Sequence, residues 1–201
     1  MPTREEIQRK INNLKASGQD IIRREELEKL HEYTKRDTVI YFSSFNIPRP
    51  YAVPSGAISL TQEDIQGFMA SLHQMTGDSL DLILHSPGGS SEAADQIVQY
   101  LRAKYKNIRA IVPQNAMSAA TMIACACDEI VMGKHSSIGP IDPQIIMSVG
   151  GATLSTPAHA ILEEFDRARM EVKNDPILAN VWAPRLASIP PGHLEVCRQV
   201  I

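Results

Sequence analysis

Two short stretches constrain the fold of this chain more than any other feature: Ser86-Pro87-Gly88-Gly89 and Ala116-Met117-Ser118-Ala119-Ala120. Each stands where an apolar, strand-like run gives way to a run with helical spacing. Strand-to-helix turns of this kind gather small residues and free backbone N–H groups at the carboxyl ends of strands, where open α/β sheets build their sites. Around the two turns the alternation repeats. Residues 38–42, 80–84, 108–112 and 130–132 read as strands, rich in β-branched and aliphatic side chains. Thr61 opens a helix whose apolar face is Ile65, Phe68, Met69 and Leu72, and a second helix after Gly89 turns Ala93, Ala94, Ile97, Val98 and Leu101 inward. Ser118 opens a third, of very small residues through Cys127, whose size predicts deep burial. Strand and helix alternate at least three times, which predicts an α/β fold with a mainly parallel sheet and helices outside it.

The flanks are simpler. Residues 1–36 read as a short amphipathic helical appendage: Ile7, Ile11 and Leu14 fall at helical spacing until Gly18, and Leu27 and Leu30 mark a second helix over 24–33. Residues 37–201 are expected to form one domain. Within it, the 46–56 loop with Pro48, Pro50 and Pro54 is placed to overhang a site, and 133–143 is an ordered turn region. Thr156 as N-cap and Pro157 at the first helical position predict a helix to about residue 172, with Ile161, Leu162, Phe165 and Ala168 inward. A helical pattern from His193 to Ile201 ends without a capping residue, as in a truncated piece of a longer parent.

Composition excludes several classes. A length of 201 residues suffices for one well-buried domain, and 43% hydrophobic with 21% charged residues argues against disorder. A formal net charge of -3 leaves no electrostatic footprint for nucleic acid. The first thirty residues hold no signal-like apolar run, and nothing approaches the roughly 18 apolar residues of a membrane span. The expectation is a cytoplasmic protein. Cys125, Cys127 and Cys197 make an odd number, the first two in an alanine-rich run, so they read as buried small hydrophobes in a reducing compartment. Neither a metal nor a cofactor is expected.

The turns carry the chemistry. Ser118 is flanked by residues too small to shield it, the exposure that a nucleophile needs. The Ala119 N–H points into the same space, and Gly88 and Gly89 let a second amide turn toward a developing oxyanion with no Cβ in the way. The plain alternative is that the first stretch is an ordinary turn and Ser118 an ordinary N-cap. Residue types alone do not separate the two.

The wider pattern adds to this. The two turn motifs, with CDEIVM at Cys127 to Met132 and SIGPIDPQ at Ser137 to Gln144, resemble the ClpP/crotonase superfamily. Within it the match is to the serine dehydrogenase proteinase family, near signal-peptide-peptidase A and NfeD-type proteases. The resemblance spans roughly residues 38–172. It implies a spiral of ββα units, Ser118 as nucleophile, and oxyanion donors from Gly89 and Ala119. For the base, ClpP uses histidine and the related peptidases lysine. The ClpP histidine position falls near Asp142, a departure from that triad, whereas the NfeD-type lysine position falls on His159. The positive end of a helix favours the neutral form of a histidine in its first turn, as a general base requires. The resemblance therefore implies a dyad of Ser118 and His159, with Asp142 as orienting carboxylate. Lys134 and His135 follow a strand but match no base position and read as a solvated turn. His85 reads as a hydrogen-bonded core histidine, and His31, His73 and His193 as structural.

By this reading the chain is a serine endopeptidase that cleaves peptide or protein substrates through an acyl-enzyme, working as a homo-oligomer. Two alternatives share the fold. A crotonase-like acyl-CoA enzyme also uses paired backbone amides but needs no Ser118, and a catalytically inactive scaffold would only bind peptides. The dehydrogenase activity in the family's name finds no support, because the chain has no Gly-x-Gly-x-x-Gly pattern and no recognisable pyridoxal phosphate lysine setting.

Overall fold

The computed structural model describes residues 3–13, 18–48, 53–141, 143–149, 152–187, 189–190 and 192–200. The chain divides into two compact units, Met1–Pro140 and Ile141–Ile201. The first contains α1 (Arg4–Asn13), α2 (Gly18–Thr34), β1 (Asp37–Phe42), α3 (Gln62–Leu72), β2 (Ser79–His85), α4 (Ser91–Lys104), β3 (Asn107–Val112), β4 (Asn115–Ala116), α5 (Ala119–Cys125), β5 (Glu129–Met132) and β6 (Ser137–Ile138).

Strands β1, β2, β3 and β5 pair in parallel in that order, and α3, α4 and α5 make the crossovers between them. β2 is central and buried on both faces, with Leu80, Leu82 and Leu84 fully inside, as an apolar run between two neighbours requires. Phe68 and Leu72 from α3 and Ala93, Ala94, Ile97 and Leu101 from α4 complete the same core. Each fully buried leucine or isoleucine there stabilises the fold by about 1.5–3 kcal/mol relative to exposure. The helix starts follow from side chains. The Thr61 N–H donates to Asp64 Oδ2 at 2.7 Å, and Ser90 Oγ accepts the Ala93 N–H at 3.0 Å.

At the amino ends of the strands, one carboxylate ties three elements. Asp81 is fully buried, and Arg109, its register partner on β3, donates Nε to Oδ1 at 3.0 Å and Nη2 to Oδ2 at 2.7 Å. Arg36, just before β1, donates Nε to the same Oδ1 at 2.6 Å.

Two expectations for the first unit change. The α5 helix ends at Cys125 rather than Cys127, and Cys125 is exposed because the chain emerges there to begin β5. Burial holds for Ala119, Ala120 and Ala124, where α5 packs on α4. Cys127 is half-buried, and burial pushes its thiol up to about 11. Second, the helix expected over 24–33 begins at Gly18 and runs to Thr34 as α2.

The second unit holds an antiparallel hairpin, β7 (Gln144–Val149) with β8 (Ala152–Pro157), followed by α6 (Ala158–Asn174), α7 (Ala179–Leu186) and α8 (His193–Val200). The hairpin displaces the expected helix start: β8 runs through Thr156, so Pro157 becomes the N-cap and Ala158 the first helical residue. Ala158, Ile161 and Cys197 form its buried centre with Ile145, Leu162, Ile189 and Leu194 around them.

Candidate active site

The carboxyl ends of β2 and β3 carry the two turns, and backbone hydrogen bonds join them. The Ser86 N–H donates to the Asn115 carbonyl and the Met117 N–H to the Ser86 carbonyl, both at 3.0 Å, a parallel bridge between Ser86 and Ala116. On its other side β4 pairs with β6, Asn115 opposite Ser137 and Ala116 opposite Ile138. Three segments thus lie side by side at the mouth of the sheet. Thr121 Oγ1, one turn into α5, donates to the Ala116 carbonyl at 2.7 Å and fixes where the helix begins.

Gly88 meets the second turn at contact distance. A Cβ on Gly88 would lie 2.4 Å from the Met117 carbonyl oxygen, 2.7 Å from Ser118 Cβ and 3.0 Å from the Ala119 nitrogen, and its φ is +89°. Only a residue without a side chain fits there. Gly89, at φ +151°, is pressed as tightly on its other side by Leu60, where a Cβ would lie 2.2 Å from the Leu60 carbonyl oxygen. The Leu60 N–H donates to the Gly88 carbonyl at 2.7 Å, and the Ser90 N–H to the Leu60 carbonyl at 2.9 Å. Ser86 Oγ accepts the Gly88 N–H at 3.1 Å, so that amide is already engaged. Among the described residues, the amides of Gly89 and Ala119 have no such partner.

Ser118 is half-buried between these parts, at φ 50° and ψ -122°. A non-glycine residue reaches this conformation only when its surroundings impose it, at a cost of about 1–3 kcal/mol. Its carbonyl accepts the Thr121 and Met122 N–H groups at 2.8 and 3.2 Å, which starts α5, while its side chain makes no capping bond. It occupies the N-cap position without doing an N-cap's work. Replacing it with glycine relieves the strain, so Ser118→Gly is expected to raise the unfolding free energy by roughly 0.5–1 kcal/mol after glycine's own entropic cost. Urea unfolding checks this, and a less stable variant contradicts it.

The remaining expected residues are distributed as follows. His159 is exposed at the second position of α6 in the second unit, and Asp142 lies outside the described residues. Lys134 and His135 are exposed on a turn after β5, as expected. Residues 49–52 of the proline-rich loop also lie outside the described residues. His85 is 1% exposed and hydrogen-bonded, the core histidine its setting implied. Among the described residues, no group of His, Cys, Asp or Glu could hold a metal ion, and no helix is long and apolar enough to cross a membrane. The role of Leu60 escapes sequence reading. The backbone pairing by which it clamps Gly88 and Gly89 leaves no trace in residue type.

A hydroxyl on a strained turn, followed by an unengaged amide and packed against a glycine turn, is suited to opening an acyl carbonyl. Residues 59–182 match the family of ClpP-like SDH-type serine proteinases. The chain belongs to this family. The matched span takes in Leu60, both turns and the β7–β8 hairpin of this SDH-type proteinase. Two uncharacterised proteins of Methanocaldococcus jannaschii are similar, one 41% identical over 87 residues and 43% of this chain, the other 34% identical over 120 residues and 59% of this chain. The matched stretches span only 30% and 38% of those two relatives. Among solved structures, a mutant of the 1510-N membrane-bound stomatin-specific protease aligns at 21% identity and a TM-score of 0.43, over 57% of this chain and 58% of that one. A ClpP1 mutant from Listeria monocytogenes aligns at 15% identity and a TM-score of 0.36, over 75% of each chain.

Proposed function

We propose that this SDH-type proteinase is a serine endopeptidase in which Ser118 Oγ attacks a peptide carbonyl while the Gly89 and Ala119 amides receive the oxyanion. One observation carries the reading: the contact of Gly88 with Ser118 Cβ and the Ala119 nitrogen, which brings the glycine turn against the residue that bears the hydroxyl. Each donor is worth about 3 kcal/mol of transition-state stabilisation. Gly88 contributes its conformation rather than its amide, which Ser86 Oγ holds.

His159 is the base in this scheme and Asp142 its orienting carboxylate. The support is the place of His159 in the first turn of α6. As the Oγ–carbon bond forms, the Ser118 proton passes to the imidazole and then to the leaving amine. Water, deprotonated by the same ring, releases the acyl group and restores the serine. The substrate is a peptide or protein, the setting is the cytoplasm, and the assembly is a homo-oligomer. Val131 and Met132, 39% and 40% exposed on the edge strand β5, support self-association, and a monomeric mass by light scattering contradicts it.

Hydrolysis of a quenched fluorescent peptide library tests the activity. Turnover is expected with the parent chain and a fall of roughly 10,000-fold or more with Ser118→Ala. Equal turnover by both excludes the serine, and tight coenzyme A binding by both points instead to an acyl-thioester enzyme.

A further inference from the structure

His85 ends β2, one residue before the glycine turn, and its imidazole is buried where three segments meet. Nδ1 accepts the Asn115 N–H at 3.3 Å, and Asn115 begins the strand that leads into Ser118. An acceptor at Nδ1 puts the proton of the neutral ring on Nε2, which faces Asn46 Oδ1 at 3.4 Å. Asn46 also donates to Gln114 Oε1 at 3.3 Å. Phe42 and Phe45 stack with the ring at centroid distances of 4.9 and 5.1 Å. One imidazole is thereby bonded to the segment before the nucleophile, joined by the chain to the glycine turn, and wedged against the loop that follows β1.

We propose that neutral His85 is a positioning residue of the hydrolytic site, holding the segment that leads into Ser118 in register with the glycine turn through its bond to the Asn115 amide. The consequence for turnover rests on the serine-peptidase reading, while the link itself does not. His85 acts through Asn115, whose carbonyl accepts the Ser86 N–H at 3.0 Å and whose Oδ1 accepts Ser137 Oγ at 2.8 Å. The same residue therefore joins all three segments of the mouth.

The link has an acid limit. Burial lowers the His85 pKa below its ordinary value, and its neighbours are uncharged: Phe42 from β1, Phe45 and Asn46 from the loop, and Asn115 from β4. The ring is neutral at and above the ordinary imidazole value. As pH falls the unfolded chain takes up the proton first, so this contribution to stability is present above the unfolded value and is lost as pH falls toward the folded one. Once protonated, Nδ1 presents a donor to the Asn115 donor, and the link opens.

Two variants of the full chain separate positioning from bulk structure. His85→Asn keeps an acceptor oxygen close to the Nδ1 position and cannot titrate, while His85→Phe keeps the stacking and loses both hydrogen bonds. Fluorophosphonate labelling at neutral pH is expected to be roughly 30-fold slower in the Phe variant, the scale of a buried donor left without a partner, and within about 3-fold of the parent in the Asn variant. In acid the parent loses labelling through a step that the Asn variant lacks. Nuclear magnetic resonance reads the link without chemistry: the Gly89, Asn115 and Ala119 amide signals of the parent shift together, with one midpoint below the ordinary imidazole value, and stay still in the Asn variant. Amides that do not move, or Asn and Phe variants equally slow with the parent's pH profile, overturn the proposal. A parent that takes no label defeats the serine reading, and the amide titration then decides His85 alone.

Discussion

Gly88→Ala is expected to lower turnover at least 100-fold and to cost about 2–4 kcal/mol of stability. The added methyl would stand 2.4 Å from the Met117 carbonyl oxygen and 2.7 Å from Ser118 Cβ, so backbone rather than a flexible side chain has to move. A left-handed φ of +89° adds about 1–3 kcal/mol for a residue with a side chain, and overpacking adds a similar amount. The part that moves is the approach of the glycine turn to Ser118, and a misplacement near 1 Å at a reacting centre costs on the order of 100-fold in rate. Gly67 supplies the control. A Cβ there meets nothing within 4 Å inside α3, so Gly67→Ala is expected to leave turnover alone and to add roughly 0.5–1 kcal/mol through helix propensity. Peptide turnover and urea unfolding of both variants check this, and a Gly88→Ala chain with near-parental activity contradicts the geometry.

The largest effect on stability is expected at the other end of the sheet. Asp81→Asn removes the charge that Arg36 and Arg109 share, leaving two guanidinium groups, 17% and 24% exposed, facing an amide. Breaking a buried ion pair from one side costs about 3–5 kcal/mol, because the partners stay desolvated without compensation. Arg36 also donates to the Leu80 and Asn107 carbonyls at 2.9 and 3.2 Å, so the loss reaches β1, β2 and β3 together. Urea unfolding measures it, and a change below about 1 kcal/mol means that the charge is dispensable. Labelling of Ser118 in the folded fraction is expected to persist, since the amino ends of parallel strands lie away from the turns at their carboxyl ends.

The sheet was legible because its strands are apolar runs between turn residues, and β1, β2, β3 and β5 each fall within a residue of the expected limits. The small-residue character of Ala119, Ala120 and Ala124 likewise marked a helix that packs closely. Other features leave no such pattern. β4 and β6 are two residues each, too short for any periodicity, yet they hold the nucleophile turn in place. The contact of Gly88 with Ser118 depends on main-chain bonds from Ser86, Asn115, Met117 and Leu60, which any residue type could make. The β7–β8 hairpin did leave a sign, Gly150-Gly151 between two apolar runs, but the Thr156-Pro157 pair points as readily to a helix cap. Cys125 shows the opposite error, an apolar context taken for burial at the point where a helix surfaces.

Peptide mapping after exposure to a fluorophosphonate tests the central claim most directly. A reactive serine held beside two amide donors is expected to carry the whole adduct on Ser118, and the Ser118→Ala chain to carry none. An unlabelled parent, or an adduct on Ser86 or Ser137 instead, contradicts the account.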